Sequence, residues 1–314
     1  MHRYILRRLV LAVPTALLAV TLIFIVMRVL PGDPALAALG EQASQRALEA
    51  FRQKMGLDQP LWRQYLDYMG DLLRGELGES MHSGQPVLER ILSLFPYTLE
   101  LTVAAVLIGA VIGIPLGVTS AVRRGSWVDS LSRLLALVGI SFPAFYLGIL
   151  LLLLFSLKLG WFPSVGVGDE GVTFVERLQF LVLPALSLGL IESALTMRIT
   201  RSSMLDVIQQ DYIRTARAKG LAERVVLYKH AIRNALIPIT TVIGLNLTTI
   251  ISGAVLTETV FTRPGLGNML VKALTTRDYT VVQGTVVLFA ILVIIINLLV
   301  DLTYGLIDPR VRYD

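Results

Sequence analysis

The sequence predicts an all-α membrane protein with six transmembrane helices and an extracytoplasmic helical insertion after the first. Three observations predict it. Hydrophobic residues make up 54% of 314 positions, with a mean hydropathy of +0.69, whereas soluble domains hold about 45–50%. Apolar runs near the ~20 residues that a bilayer core requires recur along the whole chain. Lys and Arg gather between alternate runs, as they do on cytoplasmic loops. The spacing of the runs leaves no room for a second large soluble core.

Several function classes are excluded at this level. The net charge of +5 and pI near 9.5 could suggest nucleic acid, but the positive residues lie between hydrophobic runs, so membrane topology accounts for them and no nucleic-acid partner is expected. The chain has no Cys, which removes disulfides, zinc–thiolate sites and cysteine nucleophiles. His2, His82 and His230 are too scattered for a metal cluster. No Lys follows a Gly, so no phosphate-binding G-K-[ST] loop exists, and neither H-E-x-x-H nor G-x-S-x-G occurs. No His lies inside a span, which argues against an intramembrane protease.

Span one, residues 9–30, follows Arg3, Arg7 and Arg8 and is too long for a signal-peptide core, so it is read as retained, with its N-terminus inside. Residues 31–96 carry six Lys/Arg against nine Asp/Glu, which is not a cytoplasmic signature. Two stripes at helical spacing occur there, Leu48, Phe51 and Met55, then Leu61, Tyr65, Tyr68 and Leu72; both are read as packing faces outside the membrane. Span two, residues 96–122, repeats Gly109, Gly113 and Gly117 every fourth position, a ridge for close helix packing, and Pro115 should bend it. Arg123, Arg124 and Arg133 mark an inside loop before span three, residues 134–157, which contains Pro143. The outside loop 158–177 holds a formal G-x-G-x-x-G from Gly166 to Gly171, rejected as a dinucleotide site because its neighbours are membrane spans.

Span four, residues 180–199, delivers the chain to its most basic stretch. Arg198, Arg201, Arg214, Arg217, Lys219, Arg224, Lys229 and Arg233 there face only Asp206, Asp211 and Glu223. Residues 211–220 read as a short helix capped by Asp211 and stopped by a left-handed Gly220, with a second short helix over 221–230. Ala216 and Gly220 fall on one face with almost no bulk, so another protein could approach the backbone there. A solvated basic loop near lipid phosphates is the alternative.

Span five, residues 236–256, is the most polar. Thr241, Leu245, Thr248 and Ser252 share one face, and Asn246, Thr249 and Gly253 the next. Interhelical hydrogen bonding is one reading of Thr241, Asn246, Thr248, Thr249 and Ser252, and a wet substrate path is the other, favoured by the number of hydroxyls. An outside segment, 259–278, precedes span six, residues 281–302, and a basic tail returns the C-terminus to the inside. Glu100, Glu192, Glu258 and Asp301 lie in or near spans, as carboxylates of a proton-coupled secondary transporter would, but their places near span ends suit anchoring better.

Thr215-Ala216, Gly220 and Ile237-Pro238 resemble the cytoplasmic "EAA" loop of ATP-binding-cassette (ABC) importer permeases. Arg214 and Thr215 stand where the general pattern has Glu and Ala, and the spacing to Pro238 is longer; both departures resemble the dipeptide/oligopeptide branch. Leu30-Pro31-Gly32-Asp33-Pro34, Pro96-Tyr97-Thr98-Leu99-Glu100-Leu101, Pro264-Gly265-Leu266-Gly267, Arg277-Asp278-Tyr279 and Asp308-Pro309-Arg310 carry the same resemblance from the first span to the last residues. The long outside segment resembles that of the B-type subunit. The resemblance implies a type I importer permease fold in a bacterial inner membrane, with both termini cytoplasmic. It also implies a homologous C-type permease, two ATP-binding subunits that hold ATP and Mg, and an extracytoplasmic substrate-binding protein, with no cofactor in this chain. It divides the chain into span one (1–30), an extracytoplasmic helical segment (31–96) and a five-helix core (97–314) with a coupling loop at 200–235. Asp211, Tyr212, Arg214, Thr215, Ala216, Arg217, Lys219 and Gly220 are then the ATPase-coupling residues. The implied cargo is peptides; related permeases carry nickel chelates, glutathione or oligosaccharides.

Overall fold

The computed structural model describes residues 2–29, 33–40, 42–164 and 173–307. Leu30-Pro31-Gly32, the glycine-rich stretch from Gly166 to Gly171 and Asp308-Pro309-Arg310 lie outside them. Among the described residues there is no strand, only an isolated bridge between Glu79 and Pro86. The helices are α1 (His2–Val29), α2 (Pro34–Leu39), α3 (Gln45–Lys54), α4 (Leu61–Arg74), α5 (Val87–Val122), α6 (Trp127–Ser141), α7 (Ala144–Leu151), α8 (Phe174–Ile208), α9 (Asp211–Ala218), α10 (Glu223–Val225), α11 (Ile232–Val260), α12 (Leu266–Thr276) and α13 (Tyr279–Ile307). Two π-helical turns, Leu152–Lys158 and Val226–Ala231, extend α7 and join α10 to α11.

Among the described residues five helical segments are long and apolar enough to cross a membrane, and α6 with α7 makes a sixth where the bent pair counts as one span. That sixth span corrects the expectation of an uninterrupted run over 134–157, because α6 and α7 meet at 101°. The cause is local: Pro143 drives the preceding residue out of the helical region, and Phe142 sits at φ −96°, ψ 135°. A second correction concerns residues 221–230, which do not form a separate helix. They run through the π turn into one rod, Glu223–Val260, with Pro238 inside it.

The chain divides into two compact units. The first comprises Met1–Ile5, Thr98–Arg263 and Ile296–Asp314. Its organising contact is the glycine ridge of α5 against α8. A Cβ on Gly109 would lie 2.5 Å from Glu192 Cγ, one on Gly113 2.6 Å from the Ser193 carbonyl oxygen, and one on Gly117 2.5 Å from Thr200 Cβ. Only glycine permits this approach, so the four-residue repeat in the sequence is a helix-packing face. Further along, Val118, Ala121, Met204, Ile213, Ala216, Val226, Leu227, Ala231, Ala235 and Ile239 form one apolar cluster that joins α5, α8, α9 and α11.

The second unit comprises Leu6–Tyr97 and Pro264–Ile295. Its core gathers Met27, Val87, Ile91, Leu266, Met269, Ala273, Val281 and Val282. The two predicted stripes pack in part: Leu48 is buried and the Tyr65 and Tyr68 rings meet Phe24 at 5.3 and 5.7 Å between centroids, whereas Leu61 is exposed. Asp33 caps α2 through the Ala35 N–H and pairs with Arg52 of α3, whose guanidinium holds the Asp33 carboxyl below the usual carboxylate range. Asp278 of the Arg277-Asp278-Tyr279 motif is buried and accepts hydrogen bonds from Ser80 Oγ at 2.6 Å, the Met81 N–H at 3.2 Å and the Val281 N–H at 3.3 Å. It therefore caps α13 and fixes the 80–82 turn with one side chain.

Candidate functional site

The basic stretch folds around α9. Its N-cap position is Gln210 and no side chain caps it; Asp211, expected as the cap, is instead the first helical residue, where its charge suits the helix dipole. Gly220 does take the left-handed conformation that ends the segment, at φ +77°. Within α9, Ile213 and Ala216 point inward and are buried in the cluster with Val226, Leu227 and Ala231. This corrects the expected facing of Ala216: three-residue spacing places it beside Ile213 on the apolar side, so its low bulk lets α9 lie close to its own chain. The exposed face carries Tyr212, Arg214, Thr215, Arg217, Ala218 and Lys219.

That face is held in register by its own side chains. Arg217 makes a two-point pair with Glu223, Nε to Oε2 at 3.1 Å and Nη2 to Oε1 at 2.7 Å, and this carboxylate raises the Arg217 pKa. Asn234 of α11 donates to the Tyr212 hydroxyl at 2.8 Å. Thr215 Oγ1 donates to the Asp211 carbonyl, and Arg214 lies 3.4 Å from the Asp211 carboxylate.

A buried pair that sequence reasoning missed braces the same region. Asp129, 2% exposed, accepts Arg201 Nε at 2.8 Å and Nη2 at 2.9 Å, Ser120 Oγ at 2.6 Å and the Gly125 N–H at 3.0 Å. It ties the α5–α6 turn to α8 shortly before α8 ends and α9 begins. Ser126 Oγ accepts the Asp129 N–H and caps α6, so Asp129 sits three residues after a helix start, and no local pattern points to its partner 72 residues on.

On span five the candidate path residues separate. Thr249 and Ser252 are exposed with Leu245 and Leu256, at four- and three-residue spacing along one face. Thr241 and Thr248 are half-buried and, like Ser252, return their hydroxyl protons to carbonyls of their own helix. Asn246 turns toward α8 and donates to Glu192 Oε1 at 3.4 Å, with Thr196 Oγ1 at 3.3 Å. Glu192 is 2% exposed and lies near the middle of α8, which corrects the expectation that it sits at a span end.

Glu100 and Glu258 lie together between the Pro96–Leu101 motif and the turn after α11. Thr98 Oγ1 donates to Glu258 at 2.6 Å; Glu100 accepts Arg263 Nη2 at 2.7 Å and Arg177 Nη2 at 3.3 Å. Arg263 is 1% exposed, and burial pushes its guanidinium pKa down against the pull of Glu100 and Glu258. The group joins the interior of α5, at Thr98 and Glu100, to the first turn of α8 and the last turn of α11. Among the described residues no cluster of His, Asp and Glu could hold a metal.

Comparison with known proteins addresses what this arrangement belongs to. The solved inward-facing MetNI methionine ABC transporter shares the fold, with a TM-score of 0.57 at 20% identity over 70% of this chain and 96% of that one. The di/tripeptide transport system permease DppB of Pseudomonas aeruginosa is 44% identical, covering 100% of this chain and 99% of the relative. The dipeptide permease DppB of Alkalihalophilus pseudofirmus is 40% identical and the glutathione permease GsiC of Escherichia coli K12 42% identical, each with both chains covered fully. The profile of the binding-protein-dependent transport system inner membrane component matches residues 113–313, and that of its N-terminal part matches residues 1–102. The chain belongs to the family of binding-protein-dependent transport system inner membrane components, the multi-pass permeases of ABC importers.

Proposed function

We propose that this chain is a permease subunit through which an ATP-driven importer carries short peptides across the bacterial inner membrane. Full-length similarity to di/tripeptide and dipeptide permeases carries the reading. A homologous second permease completes the path, two cytoplasmic subunits bind and hydrolyse ATP with Mg, and an extracytoplasmic binding protein delivers the cargo. Both termini face the cytoplasm, residues 31–96 work as the outer segment and 97–314 as the permease core. The exposed face of α9 meets an ATPase, with Arg217 and Tyr212 held from behind by Glu223 and Asn234. Glutathione is the second reading, favoured by the equally extensive similarity to its permeases. In reconstituted complex with its binding protein, di- and tripeptides should stimulate ATP hydrolysis and enter vesicles. Stimulation by glutathione alone would replace peptides as cargo, and hydrolysis unaffected by either would overturn both readings.

The path runs along the exposed face of span five. Thr249→Trp and Ser252→Trp place an indole on that face, where neither residue supports the packing of its own chain. Uptake should fall at least tenfold, about 1.4 kcal/mol in the transport barrier, while assembly stays normal. Normal uptake by well-assembled variants would remove Thr249 and Ser252 from the path.

A further inference from the structure

We infer that α4 is a membrane-interface helix whose outward apolar stripe, Trp62, Leu66 and Leu73, rests in lipid at the C-terminal end of span one. At 100° per residue, α4 has three faces. Tyr65 and Tyr68 mark the face packed on α1, on the same side as Leu72. Arg63, Asp67, Asp71 and Arg74 lie on the far side, where Asp67 and Asp71 help to line a cavity of about 180 Å³. Between these faces stand Trp62, Leu66 and Leu73, which are 64%, 58% and 88% exposed although apolar. A helix surrounded by water on that side would have no reason to extend its apolar arc past its packed face.

The contacts of α4 set its depth. Tyr65 shares a 2.7 Å hydrogen bond with Thr21, the Tyr68 ring stacks on Phe24 while Tyr65 meets it edge-on, and Gln64 accepts from Arg28 Nε at 2.8 Å. All three partners lie inside the apolar span Val10–Val29. Phe24 is five residues and Thr21 eight residues from the end of that span, about 7.5 and about 12 Å at 1.5 Å per residue. An amphipathic helix lying in the headgroup and acyl boundary buries its apolar face by about 5–10 Å. A helix bonded to α1 at this height therefore meets acyl chains wherever it is not covered by α1. The stripe also continues the exposed apolar surface of α1 itself, where Leu22, Ile25, Val26 and Val29 are about half exposed or more. Trp62 suits the boundary, because an indole keeps an apolar body in lipid and an N–H toward water. In the orientation proposed above, the leaflet concerned is the outer one, and α4 acts as a float that fixes the height of span one and of the cavity beside it.

The chain has no Cys, so single cysteines at Leu66, Leu73 and Asp67 can carry nitroxide spin labels, with the partner subunits made cysteine-free and the whole complex placed in phosphatidylethanolamine/phosphatidylglycerol nanodiscs. Collisions with oxygen should exceed those with a water-soluble nickel chelate at positions 66 and 73, and the order should invert at 67. If the chelate dominates at 66 and 73, the stripe lies in water and the inference fails. If both reagents are excluded there, with or without the binding protein present, a protein surface covers the stripe and the inference fails in that direction.

Discussion

Arg201→Ala is expected to be the most destabilising single change in the permease core. The Asp129 carboxylate that it abandons is 2% exposed and would keep only Ser120 and the Gly125 N–H as partners. Breaking a buried ion pair by removing one member costs about 3–5 kcal/mol, because the remaining charge stays out of water without compensation. Asp129→Asn should cost less: Arg201 keeps 20% of its side chain exposed and can turn its charge toward solvent. Asp129→Ala combined with Arg201→Ala should cost less than the sum of the two single changes, since neither charge is then stranded. Thermal unfolding of the assembled complex with neither, either and both alanine changes measures the cycle, and Asp129→Asn is compared beside it. Strict additivity would mean that the pair has no coupling, and the bracing role of the α5–α6 turn on α8 would be lost with it.

The spans were legible in the sequence because each is a run of one composition, and the four-residue recurrence of Gly109, Gly113 and Gly117 correctly announced a packing face. The direction of that face needed Ser193, Thr196 and Thr200 of α8 to be known. Pro143 was visible, but whether it would bend a span gently or break it depended on Phe142 adopting an extended conformation. Pair formation across long separations had no local signal. Arg201 looked like one more inside-positive residue, and Glu192 like one more terminal carboxylate, because linear position does not report depth within a 35-residue helix. On α4 the periodicity of Tyr65, Tyr68 and Leu72 was legible, yet the second stripe beside it came into view only when exposure separated the covered apolar residues from the uncovered ones.

Two arginine substitutions two residues apart on α9 should separate packing from partner contact, and each is expected to abolish transport for a different reason. Ala216 is 8% exposed among Ile213, Val226, Leu227 and Ala231. Ala216→Arg forces a long side chain into that cluster, where overpacking costs about 1–3 kcal/mol. The guanidinium can escape only by lifting α9 off the apolar surface. Hydrogen exchange across residues 211–220 should therefore accelerate at the same time as ligand-stimulated ATP hydrolysis is lost. Ala218 lies on the exposed face between Arg217 and Lys219, so Ala218→Arg leaves the packing of α9 intact and exchange should stay at the wild-type rate. If that face seats in a groove of an ATPase, the added bulk and charge must be accommodated between two surfaces, and copurification of the ATPase should drop at least tenfold, about 1.4 kcal/mol of binding. Ala218→Arg complexes that retain the ATPase and wild-type uptake would show that the exposed face of α9 touches only water, whatever Ala216→Arg does.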